Sequence, residues 1–159
     1  RTRRQGAELG SQLWLGPQWQ LNAALTVLDA QLREGFCDNK GSCVPAGKRL
    51  AGTARTQAAL GLDWRPHPDW RLGAEWRHVG DIAANDSNST LAPAYDVLAL
   101  STRYTRQWGA WKLSAFARID NLADRKYVGS VIVNEGNGRY YEAAPGRQWM
   151  AGVNLGYQF

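Results

Sequence analysis

The chain has 159 residues, a net charge of +5, eight Trp, six Tyr, 17 Gly and two Cys. That length suits one domain. No run of about 18 apolar residues is present to form a transmembrane helix, and the basic residues are dispersed except at Arg1 to Arg4, so the basic patch that a nucleic-acid partner requires is missing.

No signal-peptide pattern opens the sequence, which leaves a mature, truncated or cytoplasmic chain as the expectation. Arg1 to Arg4 read as a solvated terminus. Glycine exceeds the average usage of about 7 %. Many glycines and aromatics at low mean hydropathy suit a β protein whose strands are apolar on one face only.

Side chains alternate across a strand, so residues two apart share a face. The first strand is expected over about Gln5 to Leu15, with Ala7, Leu9, Leu13 and Leu15 opposite Glu8, Gly10 and Gln12. Gly16-Pro17 ends it in a tight turn. The second covers about Trp19 to Gln31, where Trp19, Leu21, Ala23, Leu25 and Val27 alternate with Gln20, Asn22, Ala24 and Thr26.

A long loop follows, about Leu32 to Gly52, and holds both cysteines. Asp38, Asn39 and Gly41 favour a turn between Cys37 and Cys43. A local disulfide is expected, which implies an oxidising compartment. The rival is a metal site, but further cysteines are lacking and His67 and His78 are not at ligand spacing.

The third strand is expected over about Thr53 to Arg65, and Pro66-His67-Pro68-Asp69 forms the next short turn. In the fourth, Trp70, Leu72, Ala74 and Trp76 alternate with Arg71, Gly73, Glu75 and Arg77. Asn85 to Thr90 is a polar loop closed by Pro93. The fifth strand covers about Tyr95 to Gln107 and turns at Trp108-Gly109-Ala110. The sixth covers about Trp111 to Asn121. A third long loop, Leu122 to Gly146, precedes the seventh strand, Arg147 to Phe159, whose apolar face is Trp149, Ala151, Val153, Leu155, Tyr157 and Phe159.

The period-two pattern recurs in segments of about ten residues, the length of tilted membrane strands. Connections alternate short and long, as the turns and loops of outer-membrane barrels do. Trp14, Trp19, Trp64, Trp70, Trp108 and Trp111 all flank the short turns, the pattern of an aromatic belt at one interface. The expected fold is therefore all-β: an antiparallel up-and-down transmembrane β-barrel. Seven strands is an odd number, and an open sheet leaves two edges that lipid cannot satisfy. Residues 1–159 are read as the C-terminal portion of a larger barrel domain.

Three motifs carry a family resemblance. Gly47-Lys48-Arg49-Leu50-Ala51-Gly52-Thr53-Ala54-Arg55 resembles the loop-to-strand entry of TonB-dependent outer-membrane receptors. Asn121-Leu122-Ala123-Asp124-Arg125-Lys126-Tyr127 resembles that family's Asn-Leu-x-Asp-x-x-Tyr element, and Ala144-Pro145-Gly146-Arg147 its Pro-Gly-Arg before the final strand. The resemblance implies about the last seven strands of a barrel of about 22, filled by a plug. It implies active uptake of a scarce nutrient, most often a ferric siderophore or similar iron chelate, energised by a TonB complex at the inner membrane. Val128 to Asn134 with Arg139-Tyr140-Tyr141 resembles iron-complex receptors, and also a receptor for pyrroloquinoline quinone; cobalamin is a further ligand of the same class. The implied site is the outer membrane of a Gram-negative bacterium, with long loops extracellular, the C-terminus periplasmic and lipid around the apolar face. Tyr157 and Phe159 resemble the signal read by the barrel assembly machinery. Plug, earlier strands and TonB-contacting segment are implied to lie outside this chain.

Two groups of candidate site residues follow. Arg55, Glu75, Arg77, Arg103, Arg118 and Asp120 fall on polar faces, where they contact a plug, line a substrate path or solvate the lumen. Arg125, Lys126, Tyr127, Arg139, Tyr140 and Tyr141 lie on the last long loop, suited to an anionic iron chelate through charge-assisted hydrogen bonds and ring contact, or to a hairpin anchored at the interface. No nucleophile elbow, phosphate loop or paired-carboxylate arrangement supports an enzyme, and no cofactor is expected. The rival readings are a small non-transporting outer-membrane barrel, which needs an eighth strand, and a soluble β-sandwich that binds carbohydrate through its Trp residues.

Overall fold

The structure, a computed structural model, describes residues 1–37 and 41–159. Asp38, Asn39 and Lys40, in the turn expected between the cysteines, lie outside the described residues. In chain order the strands are β1 (Thr2–Leu15), β2 (Trp19–Leu32), β3 (Phe36–Cys37), β4 (Cys43–Val44), β5 (Thr56–His67), β6 (Trp70–Val79), β7 (Ile82–Ala83), β8 (Leu91–Ala92), β9 (Tyr95–Trp108), β10 (Trp111–Asp120), β11 (Val128–Val131), β12 (Tyr141–Ala143) and β13 (Gln148–Tyr157).

The seven long strands form one antiparallel sheet in the order β1-β2-β5-β6-β9-β10-β13. Its edges are β1 and β13, which pair with β2 and β10 and not with each other. The short strands pair as three small hairpins, β3-β4, β7-β8 and β11-β12, within the three long loops.

Strand pairs are joined by turns whose residues fit them. Gly109, at φ +55°, opens the two-residue turn between β9 and β10, a position that needs positive φ. Gly16 at φ +74° opens the three-residue turn, Gly16-Pro17-Gln18, between β1 and β2. Between Trp64 and His67 a register shift absorbs Arg65 and Pro66, so β5 continues to His67 and the turn narrows to Pro68-Asp69. This departs from the expected stop at Arg65: a bulge accommodates a residue lacking a backbone N–H without ending the strand. Arg3 and Arg4 are exposed, as expected of a solvated segment, but they are also strand residues, paired with Gln31 and Ala30, so β1 begins earlier than Gln5.

Register divides the sheet into two faces. Trp14, Gln20, Asp63, Gly73, Ser101, Arg118 and Met150 form one continuous cross-strand row on the polar face. Leu9, Leu25, Ala58, His78 and Asp96 form a row on the other, which is apolar toward the turns. That apolar face has no protein covering: Leu9 is 67 % exposed and Val153 74 %. An exposed contiguous apolar surface of this kind marks contact with another apolar phase.

The apolar face ends at the turns in an aromatic girdle. Trp19 stacks on Trp64 at 5.1 Å between ring centroids, Trp70 meets Tyr104 at 4.9 Å, and Trp111 meets Tyr157 at 4.9 Å. Trp14 is the exception among the expected belt residues. It pairs with Gln20 on the polar face, and the Arg65 guanidinium lies 5.3 Å over its ring.

The most deeply buried residues lie at the loop end, not within the sheet. Ala83 and Ala84 are 0 % exposed and Ala92 2 %. Small side chains let three loops close on one another. Gly52 N–H donates to Ala83 O, and Asn134 N–H donates to Ala84 O. Asn88 and Arg49 exchange bonds of 2.7 and 2.9 Å, and Asn134 and Asp86 exchange bonds of 2.9 and 2.8 Å. Cys37 and Cys43 are joined by a disulfide in the first of these loops.

Candidate functional site

The polar face and the loop end above it carry the candidate site residues. On the face, Arg118 of β10 reaches over β9 to Glu75 of β6, with Nη1 and Nη2 donating to the two carboxylate oxygens at 2.9 and 2.8 Å. Its Nε donates to Asp120 at 2.9 Å. Crossing an intervening strand is possible because β9 presents only Ala99 and Ser101 beneath the guanidinium. Two oxygens of Glu75 match the guanidinium fork, the strongest geometry for such a pair.

Arg77 lies one row toward the loops, opposite Ala59 and Val97. Arg103 lies toward the turns, opposite Arg71 and Phe116. Neither side chain has a hydrogen-bond or ion-pair partner among the described residues. Arg55 occupies the bend before β5, where its carbonyl accepts from Leu28 N–H, so it is outside the strand on which its alternation placed it.

Above the ion-paired group, Asn121 and Asp124 hold the last long loop closed. Both are left-handed, at φ +50° and +51°. The Asn121 side chain accepts from Arg125 N–H at 2.9 Å and donates to Arg125 O at 2.8 Å. Asp124 accepts from Arg147 N–H at 2.8 Å, at the entry to β13. Gly146 leaves room there, because a Cβ on it would stand 2.9 Å from the Asp124 carboxylate and push it aside. Two of the three family-like motifs thus meet in one clasp.

The clasp sets the wall of a cleft. Tyr127 packs its ring on Tyr95 at 4.2 Å. Together with Arg125, Lys126 and Tyr141, and with Pro93, Val128 and Ala143, they line a cavity of about 410 Å³. Tyr141 OH is fixed by donation to Leu91 O at 2.9 Å. Four of the six loop residues expected to contact ligand therefore come together. Arg139 and Tyr140 do not line this cleft: Arg139 N–H donates to Glu135 at the tip of the β11-β12 hairpin, and Tyr140 O accepts from Ile132. Tyr95 was not among the expected residues. Its place at a strand start, 32 positions before Tyr127, carries no local signal. Tyr127 also borders a second cavity, of about 170 Å³, that descends to Glu75, Arg77, Arg118 and Asp120 on the sheet.

Glu135 has its carboxyl held below the ordinary range, chiefly by the backbone N–H of Arg139 and also by that of Asn137 and the Asn137 amide. Among the described residues there is no His, Cys, Asp and Glu grouping able to hold a metal ion.

Residues 1–122 match the family model described as TonB dependent receptor-like, beta-barrel. The fold is similar to the siderophore receptor PiuA from Acinetobacter baumannii, with a TM-score of 0.81 at 20 % identity over 98 % of this chain and 22 % of that one. It is similar to BauA, the ferric preacinetobactin receptor from Acinetobacter baumannii, with a TM-score of 0.79 at 20 % identity, over 99 % of this chain and 22 % of that one. The copper transporter OprC matches at a TM-score of 0.66 and 23 % identity, over 99 % of this chain and 24 % of that one. The chain thus spans less than a quarter of the length of each of these three structures.

Proposed function

Because the chain belongs to the TonB-dependent receptor β-barrel family, a family of transporters in the outer membrane of Gram-negative bacteria, we propose that it is the C-terminal part of a receptor for a ferric siderophore or similar iron chelate. In this reading lipid covers the apolar face, the polar face lines the lumen, and the barrel is completed by strands that lie outside this chain and pair with β1 and β13. The long loops are extracellular and Phe159 is periplasmic, beside the Trp and Tyr girdle. The plug and the segment that meets the TonB complex belong to the rest of the receptor, and Tyr157 and Phe159 present the signal to the barrel assembly machinery.

The observation that supports the ligand class is the Tyr95, Tyr127 and Tyr141 cleft with Arg125 and Lys126 in its lining. Cations give charge-assisted hydrogen bonds to the oxygens of an anionic chelate, and ring faces give contact area to its organic frame. Below it, Arg77 and the Arg118 group continue the polar lining into the sheet.

The test is growth of a receptor-deleted strain under iron limitation, complemented with the full-length gene and supplied with single iron chelates. Restored growth on one chelate, lost in Tyr127→Ala and Arg125→Ala receptors and kept in Arg139→Ala, is the expected result. Uptake of cobalamin or pyrroloquinoline quinone without any iron chelate would overturn it.

A further inference from the structure

Among the described residues, none of those that line the tyrosine cleft comes from the first long loop. That loop nevertheless reaches the cleft through the second one. Tyr141 is 44 % exposed, so packing does little to hold its ring, and its hydroxyl bond to Leu91 O is what sets where it stands. Leu91 belongs to β8, which pairs with β7 at only two positions, Ile82 with Ala92 and Ala83 with Leu91. A hairpin of that size is not stable by itself, so its place is set by what grips it.

One residue of the first loop grips both of its arms. Arg49 Nη1 is ion-paired with the Asp81 carboxylate, and Nη2 donates to Asp81 O at 2.6 Å, immediately before β7. The Arg49 backbone exchanges bonds of 2.7 and 2.9 Å with the Asn88 amide, ahead of β8. Only 15 % of the Arg49 side chain is exposed. The Gly52 N–H on Ala83 O and a bridge between Ala54 and Ile82 extend the same contact along β7. Ala83 stands directly opposite Leu91, so a continuous ladder runs from Arg49 to the Tyr141 hydroxyl. The last loop holds the same hairpin at its tip, through Asn134 on Ala84 and Asp86.

We infer that Arg49 is a positioning residue for the ligand cleft: it stands outside the lining and acts by fixing the β7-β8 hairpin, whose Leu91 carbonyl orients Tyr141. The inference rests on the reading above, in which the cleft takes an iron chelate. An arginine suits this task, because two nitrogens of one planar fork reach the carboxylate and the carbonyl of Asp81 together. The first loop thus helps to set the shape of the cleft without supplying a wall to it.

Replacing Tyr141 with meta-fluorotyrosine in the full-length receptor reads the placement directly, with no ligand present. In Arg49→Ala the fluorine resonance is expected to move toward that of a free tyrosine side chain. It is expected to stay in place in Arg33→Ala, which removes an exposed charge from the same loop. The same probe at Tyr157, beside the girdle, is expected to stay in place in both, with heat-modifiable migration kept. Arg49→Lys, which keeps the charge and the backbone bonds to Asn88, replaces the alanine variant if that receptor does not assemble, and is expected to move the resonance in the same direction. An unmoved Tyr141 resonance in the assembled variant overturns the inference and leaves the ligand reading standing. Uptake of the iron chelate that restores growth supplies the second arm. Arg49→Ala is expected to raise the uptake KM roughly tenfold at an unchanged maximal rate, the effect of one lost hydrogen bond. In a Tyr141→Phe background it is expected to add nothing, and a further rise there overturns the inference, since the effect would not run through the Tyr141 hydroxyl. A displaced resonance in a receptor that takes up no iron chelate sinks the ligand reading, and this inference with it.

Discussion

Asp124 accepts the backbone N–H of Arg147 at 2.8 Å across 23 positions of sequence. This one bond fixes where the last long loop ends and where β13 begins. Asn121 fixes the other side of the same clasp through Arg125. Asp124→Ala removes the acceptor and places a residue poorly suited to φ +51°. A loss of about 1–2 kcal/mol of local stability is expected, read as faster amide exchange at Arg147. Asp124→Asn keeps both an acceptor and tolerance of the left-handed region, and is expected to retain most of the protection. Gly146→Ala is expected to behave like Asp124→Ala, because its Cβ meets the carboxylate.

The Arg49 and Asn88 pair makes a second test possible. Asn88 sits at φ +56° and bonds Arg49 through both ends of its amide. Asn88→Gly keeps the backbone conformation and loses the bonds; Asn88→Ala loses both. The glycine variant is expected to weaken the joined loops by about 1 kcal/mol, and the alanine variant by about 1–2 kcal/mol more. Limited proteolysis of the loops in the folded receptor ranks the three proteins. Equal cleavage of the two variants would show that the bonds alone matter.

Arg118 ties β10 to β6 over the top of β9. Its partners are partly open to solvent, with 56 % of the Glu75 side chain and 44 % of Asp120 exposed. Arg118→Ala is therefore expected to cost only about 1 kcal/mol, with the cost smaller at high salt. The heat-modification temperature at two ionic strengths measures it. Arg118→Lys is expected to recover little, since an ammonium cannot match both oxygens of Glu75 in one plane.

Glu135 gives a pH dependence outside the membrane-spanning strands. Its carboxyl is lowered by the Arg139 backbone N–H and its neighbours, so the folded form favours the ionised group. The stabilisation it brings is fully present above the ordinary carboxyl value and is lost as pH falls through the lowered one. The Arg139 amide resonance is expected to titrate with a midpoint below that of a free glutamate. Glu135→Gln is expected to abolish that titration.

Most of the sheet is legible in the sequence because alternation is a direct image of two different environments. Val153 and Leu155 on one side and Gly152 and Asn154 on the other can be read without knowing any partner strand. The strand ends are less legible. Pro66 reads as a terminator, yet the bulge after Trp64 carries β5 past it. The small hairpins were hidden for a related reason: two-residue strands such as Ile82–Ala83 hold too few positions to display a period. In the cleft, Arg125, Lys126, Tyr127 and Tyr141 are visible as a cation-rich, aromatic loop. Tyr95 is not, since only the fold brings its ring to 4.2 Å from that of Tyr127. Trp14 shows the opposite failure, where position beside a turn suggested a belt residue and register placed it on the polar face.

Sheet order follows chain order throughout, so every long strand pairs only with its neighbours in sequence among the seven. Each ladder can then be closed by its own turn or loop before the next begins, and the entropy of closure grows only slowly with loop length. The β1-β2 pair, with fourteen successive partners from Thr2–Leu32 to Leu15–Trp19 and no shift in register, needs nothing beyond its own turn to align. Such a chain can be laid down hairpin by hairpin, each completed edge serving as the template for the next.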